Sequence, residues 1–258
     1  MRNIWIIAWK EFRQYFVSPI AYALATVTFL FLGVVFSLNL VQVVNSSSSY
    51  GSSSALEGTA VMGPLLTLLL FATPAITMRL LAEENGQGTL ELLLTAPVSD
   101  SELVVGKWVG SFLFSSVILA LTWIYPIFLQ AITKPNGIDQ GTLVSAYVVF
   151  FLLVGALLAI GVAVSSLFSN PTAAFFASLV VSLGLWVSSL VTSTLSYMGS
   201  LGGTSLWGTF FQYIDFTSHF YNTAFIGRLD LKDIIYYTSI IALCLFFATR
   251  VIESKRWR

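Results

Sequence analysis

Residues 142–195 read TLVSAYVVFFLLVGALLAIGVAVSSLFSNPTAAFFASLVVSLGLWVSSLVTSTL and contain no charged residue. They lie within a run of 75 uncharged residues between Asp139 and Asp215. A helix needs roughly 20 mostly apolar residues to cross the hydrocarbon core of a bilayer, so this run is too long for one crossing. It is interrupted at Ser165-Ser166-Leu167-Phe168-Ser169-Asn170-Pro171, a turn signal whose proline opens a new helix well. Two spans follow, at about 142–167 and 172–195.

The same reading extends outward. Uncharged runs of 43, 21, 26 and 16 residues separate Arg13 from Glu57, Glu57 from Arg79, Lys107 from Lys134, and Asp233 from Arg250. Each holds one span, at about 20–44, 59–81, 107–132 and 233–252. The first run continues into a polar serine tract, Asn45 to Ser54, too hydrophilic to enter lipid. Backbone polar groups must be paired within a bilayer, so the six spans are predicted as helices. The short alternating segments of a membrane β-barrel are absent from the sequence.

Composition excludes most alternatives. The 258 residues are 57% hydrophobic and 9% charged, with a mean hydropathy of +0.86. An average soluble domain is about 25% charged. Twelve basic and twelve acidic residues cancel, so no net charge favours nucleic acid. The single cysteine, Cys244, forbids an intramolecular disulfide, and the single histidine, His219, forbids a two-histidine metal motif.

Both termini share one side after six crossings. That side carries Arg2, Lys10, Arg13, Arg79, Lys107, Arg250, Lys255, Arg256 and Arg258; the other carries Lys134, Arg228 and Lys232. The excess of basic residues places both termini in the cytoplasm. Residues 45–58, 133–141 and 196–232 then face outward. Residues 1–18 precede the first span and differ from a signal peptide, because Lys10, Glu11 and Arg13 interrupt any apolar core. At 100° per residue, Trp5, Trp9, Phe12 and Phe16 form one stripe flanked by Arg2 and Arg13. This is the pattern of a helix lying in the interface, with Ser18-Pro19 breaking it from the first span.

Enzyme signatures are missing. Gly106-Lys107 superficially resembles a phosphate loop, but Ser101 stands where that motif needs glycine and Trp108 where it needs serine or threonine. Lys107, at the start of an apolar helix, is expected to snorkel to the headgroups. Gly106 and Gly110 form a small-xxx-small pair suited to close helix approach, and hence to a dimer contact. His219 reads as an interfacial or packed histidine, and Cys244 as an inert apolar residue. Three of the spans carry no charge, which argues against an ion-coupled pump. A lipid-modifying enzyme is disfavoured because no His, Asp and Glu cluster lies at membrane depth.

The informative loop is Arg79–Lys107, RLLAEENGQGTLELLLTAPVSDSELVVGK. Glu83 and Glu84 end the second span, and Asn85-Gly86-Gln87-Gly88 reads as a turn. Thr89 can cap a short helix beginning at Leu90, with Glu91 near its positive end and Leu92, Leu93 and Leu94 on its surface. Thr95 follows and Pro97 ends it. Ser99 or Asp100 can cap the next helix, with Glu102 in its first turn. Five acids and only two edge bases oppose docking on anionic lipid, so a soluble protein partner suits the loop better.

These residues resemble the coupling region of ABC type-2 exporter permeases, in Glu83-Glu84, Gly88-Thr89-Leu90-Glu91, Leu93-Leu94-Thr95-Ala96-Pro97-Val98-Ser99 and Gly106-Lys107. The C-terminal part is similar too, in His219-Phe220, Gly227 to Asp233 and Arg256-Trp257-Arg258. The likeness covers the whole chain as one transmembrane domain, 1–258, and is nearest to permeases of the gliding-motility and nitrous-oxide-reductase-maturation type. The serine tract matches no motif of that family.

The resemblance implies an all-α integral membrane subunit of the inner (plasma) membrane. It implies a non-catalytic permease chain, itself without cofactor, whose separate cytoplasmic ATPase subunits, two copies, bind ATP and magnesium. It implies a second permease chain, as a homodimer or with a paired non-identical permease. Glu83, Glu84, Gly88, Thr89, Leu90, Glu91, Leu92, Leu93 and Thr95 would form the ATPase-coupling interface. In 196–232, Trp207, Phe211, His219, Phe220 and Phe225 would belong to a re-entrant outer gate; an ordinary outer loop is the plainer alternative. Export of a substrate is the leading expectation. Motion passed to an outer partner protein without transport is the other, and the sequence does not separate them. Charge-free spans mildly favour apolar, lipid-linked or bulky cargo.

Overall fold

A computed structural model describes residues 2–46, 54–89, 98–132, 140–199, 215–216, 219–220 and 230–256. Among these, every regular element is a helix: α1 (Arg2–Val17), α2 (Pro19–Ser46), α3 (Ser54–Thr77), α4 (Ala82–Gly86), α5 (Asp100–Leu121), α6 (Ile124–Ile132), α7 (Gln140–Leu167), α8 (Pro171–Gly199) and α9 (Leu231–Arg256). Six helical stretches are long and apolar enough to cross a membrane. Most of the serine tract lies outside the described residues, but Asn45 and Ser46 end α2 and Ser54 opens α3.

The centre of the bundle is α7. Its 28 residues extend about 42 Å at 1.5 Å per residue, more than a bilayer core. It touches α3, α5, α8 and α9. Phe150, Leu153, Val154, Ala156 and Leu158 on it are fully enclosed. Gly161 lets α3 approach, since a Cβ there would collide with the Thr77 side chain. By contrast, α2, α8 and α9 keep most of their apolar side chains on the outside, as Leu30, Val34, Val180 and Phe246 show. Lipid, or another membrane helix, satisfies such faces.

Several polar groups among the described residues are paired internally. The Trp108 indole donates to the Gly155 carbonyl at 3.0 Å, tying α5 to α7. Thr122 and Tyr147 share a hydroxyl hydrogen bond of 3.1 Å. At the predicted break after α7, Asn170 accepts from the Thr172 amide at 2.9 Å and Pro171 begins α8.

Two spans differ in detail from the sequence expectation. The second stops as regular helix at Thr77, three residues after Pro74, and α4 follows a turn. The third begins earlier, at Asp100, and is interrupted at Thr122-Trp123. Pro126 accounts for that interruption: it supplies no amide donor and its ring crowds the carbonyl four residues back, at Thr122.

Ser18 separates α1 from α2 where Ser18-Pro19 predicts a break. The aromatic stripe is continuous, with ring centroids 6.4, 5.4 and 5.0 Å apart along Trp5, Trp9, Phe12 and Phe16. Trp5, Trp9 and Phe16 are exposed. The adjoining face, with Ala8 and Glu11 buried, lies on α5. The Gly106/Gly110 pair therefore serves a contact within the chain and not, as expected, one between chains. A Cβ on Gly110 would sit 2.7 Å from the Glu11 Cβ and 2.8 Å from the Ala8 carbonyl oxygen. Gly110→Leu is accordingly expected to push α1 off α5 at a cost of at least the 1–3 kcal/mol typical of overpacking. A lowered thermal midpoint and faster protease cleavage within residues 2–17 would show it; unchanged cleavage would contradict this packing.

Candidate functional site

The two segments that flank the leucine-rich loop are held firmly. On the first, α4 has Leu81 at its N-cap, which offers no side-chain acceptor. Ser165 of α7 takes that role: its hydroxyl accepts from the Leu81 and Ala82 amides at 3.3 and 3.1 Å and donates to the Met78 carbonyl at 3.3 Å. Asn85 donates to the Phe168 carbonyl at 3.1 Å. Gly86 lies so close to the Ser169 carbonyl that no side chain fits. Asn85 and Gly86 are thus the end of a helix and not part of the predicted turn, which is confined to Gln87-Gly88. Gly88 has φ +71°, a left-handed conformation that favours glycine. Thr89 then donates to the Glu84 carbonyl at 3.3 Å.

On the second segment, Ser99 caps α5 in a capping box with Glu102, as the sequence suggests. Asn3 of α1 adds a 3.3 Å hydrogen bond to the Glu102 carboxylate. Leu90, Glu91, Leu92, Leu93 and Thr95 lie outside the described residues; their flanks are thereby fixed to α7, α1 and α5.

Behind these flanks lies a cluster that sequence reasoning missed. Lys107 is buried and does not snorkel. Its ammonium bonds the carboxylates of Glu11 at 2.9 Å and Glu84 at 2.7 Å. Only 3% of the Lys107 side chain is exposed, against 9% for Glu11 and 19% for Glu84. One ammonium thus joins α1, α4 and α5. Tyr15 neighbours it, donating to the Ile76 carbonyl at 3.0 Å and stacking on Phe114. Burial, and next the Glu11 charge, raise its phenol pKa well above the usual range. Glu83 is more exposed, accepts from the Gln87 side-chain amide at 3.3 Å and makes a loose 4.0 Å pair with Arg79.

The opposite end of the bundle is marked by α9. From Asp233 to Lys255 the helix rises about 33 Å. Lys255 bonds the Ser166 carbonyl at 2.7 Å, beside the α4 anchor. Asp233, at the far end, meets His219 Nδ1 at 2.7 Å, and the histidine ring stacks on Tyr236 at 4.4 Å. Phe220 is fully buried, edge-on to Phe150 at 5.3 Å. The Tyr237 hydroxyl donates to the Phe216 carbonyl at 3.0 Å. His219 and Phe220 are therefore packed against the core. Trp207, Phe211 and Phe225 lie outside the described residues. Among the described residues, no three His, Cys, Asp or Glu side chains gather as a metal site.

These features define a multi-pass helical membrane protein with a leucine-rich segment at one end, its flanks hydrogen-bonded to the bundle, and an aromatic, acid-containing cluster at the other. Residues 5–247 match the model of a family described as ABC-2 family transporter protein, and the chain belongs to that family. A comparison with curated proteins gives no match. Membership makes the chain a membrane permease subunit of an ABC transporter and implies an ABC ATPase subunit as its partner. Such permeases are typically non-catalytic.

Proposed function

We propose that the chain is the permease half of an exporter, in which a separate ATPase drives substrate outward across the inner membrane. The observation that carries this reading is the double anchoring of the loop. Ser165 and Phe168 hold its entrance, and Ser99, Glu102 and Asn3 hold its exit. Force applied to residues 90–97 then passes into α7, α1 and α5 together. Glu83, Glu84, Gly88, Thr89, Leu90, Glu91, Leu92, Leu93 and Thr95 form the docking surface in this reading. Two ATPase chains bind ATP and magnesium below it.

Both termini are cytoplasmic, on the strength of the basic-residue asymmetry. The unit holds two permease chains, with α2 and α8 supplying much of the contact; their uncovered apolar faces are available for it. Residues 196–232, including Trp207, Phe211, His219, Phe220 and Phe225, gate the outer side. The branch is that of the gliding-motility and nitrous-oxide-reductase-maturation permeases.

Two measurements test this. Purification with the ATPase should give two permease chains per ATPase pair, and vesicles containing that complex should show ATP-driven substrate flux. One permease chain per pair contradicts the dimer. Coupled hydrolysis without flux replaces export by transmission of motion to an outer partner. For topology, Ser48→Cys in a Cys244→Ala background should react with an impermeant thiol reagent from the outside alone. Labelling only from the cytoplasm would invert the assignment.

A further inference from the structure

A cavity of about 630 Å³ lies between α1, the start of α2 and the end of α3. That volume is in the range of small-molecule sites. Its lining is divided by chemistry. Leu24, Ala75 and Ile76 supply apolar surface, while Lys10, Arg79 and Lys107 supply positive charge and Glu11, Glu83 and Glu84 negative charge.

The charges on this lining balance in number but are unevenly paired. Two carboxylates, Glu11 and Glu84, share one ammonium, so the buried cluster is one cation short. Glu84 Oε2 is buried and has no hydrogen-bond partner among the described residues. Such an acceptor is costly unless something donates to it. On the same cavity, Lys10 makes no ion pair among the described residues, and Arg79 has only its half-exposed 4.0 Å contact with Glu83. The cavity therefore lacks an N–H donor at one point and an anion at another, next to an apolar wall.

We propose that it binds an ethanolamine phospholipid. The headgroup ammonium donates to the Glu84 carboxylate, which presents itself by a turn about its last side-chain bond. The phosphate lies between Lys10 and Arg79, and the first acyl carbons run along Leu24, Ala75 and Ile76. A choline headgroup carries a cation but no N–H donor, and a glycerol headgroup carries no cation. Both are poorer matches for Glu84. This site needs only that the chain be embedded in a bilayer, and is independent of what the permease exports.

The test uses the full-length chain in mixed micelles holding equal amounts of phosphatidylethanolamine, phosphatidylcholine and phosphatidylglycerol, read by native mass spectrometry. One phosphatidylethanolamine per chain should be retained, at least tenfold over either competitor. Lys10→Ala with Arg79→Ala, both at exposed positions, should lower that retention at least fivefold. Leu24→Trp, which fills the apolar wall, should do the same. Equal retention of the three lipids overturns the proposal, as does retention of none, which is the result expected if another protein segment fills the cavity. Selective retention indifferent to both variants overturns it too, because the lipid then sits elsewhere.

Discussion

Lys107→Met should cost about 3–5 kcal/mol, the loss typical when one partner of a buried ion pair is removed. The substitution leaves the largely buried Glu11 and Glu84 facing each other with no cation between them. Three elements meet at that ammonium, so the damage should spread: α1 loosens from α5 and α4 loses one of its supports. The expected readout is a large fall in thermal midpoint in detergent, with early cleavage in residues 2–17 and 82–89. The triple variant Lys107→Met, Glu11→Gln, Glu84→Gln should recover much of the loss, since it removes the unpaired charges along with the pair. A Lys107→Met protein as stable as the parent would mean that the cluster carries little of the fold.

A second large effect is expected at the loop. Leu92→Asp or Leu93→Asp should sharply weaken assembly with the ATPase. Burying one leucine contributes roughly 1.5–3 kcal/mol, which corresponds to about a ten- to hundredfold change in affinity. Burying an aspartate in its place adds a desolvation cost. Glu91→Ala removes at most a rim ion pair, worth about 0–1 kcal/mol, and should have a modest effect. All of these variants should insert normally because the spans are untouched. The measurement is pull-down of the ATPase with hydrolysis and flux for each variant. Full assembly and full coupled activity in every variant from Leu90 to Leu94 would show that the loop rests on the membrane instead.

The spans were legible because lipid imposes a simple rule on sequence: charge is rare within a crossing, and its spacing marks the ends. The corner at Ser165–Pro171 and the Ser99–Glu102 cap were legible for a similar reason, as local chemistry that needs few residues. Lys107 was not. A lone lysine at the start of an apolar helix looks the same in sequence whether it reaches headgroups or a carboxylate. Its partners stand 96 and 23 residues away, at no helical or strand period. Ser165 was read only as part of a turn, because the amides it serves belong to a segment 83 and 84 residues earlier. Gly106 and Gly110 announced a close approach without naming the helix that makes it. The loop drew attention in the sequence for the opposite reason: an acidic, leucine-rich stretch between two crossings is unusual enough to stand out.

The central position of α7 bears on how the chain is assembled during synthesis. The helix leaves the ribosome well before α9, yet one of its sides is completed only by α9. Until α9 arrives, the Ser166 carbonyl lacks its Lys255 donor, and Val162 and Ala163 lack the Ala248 and Ile252 of their apolar cluster. Insertion can therefore proceed crossing by crossing, but consolidation waits for α9. The half-made chain is a natural target for membrane quality control, and the finished bundle is locked from its C-terminal side.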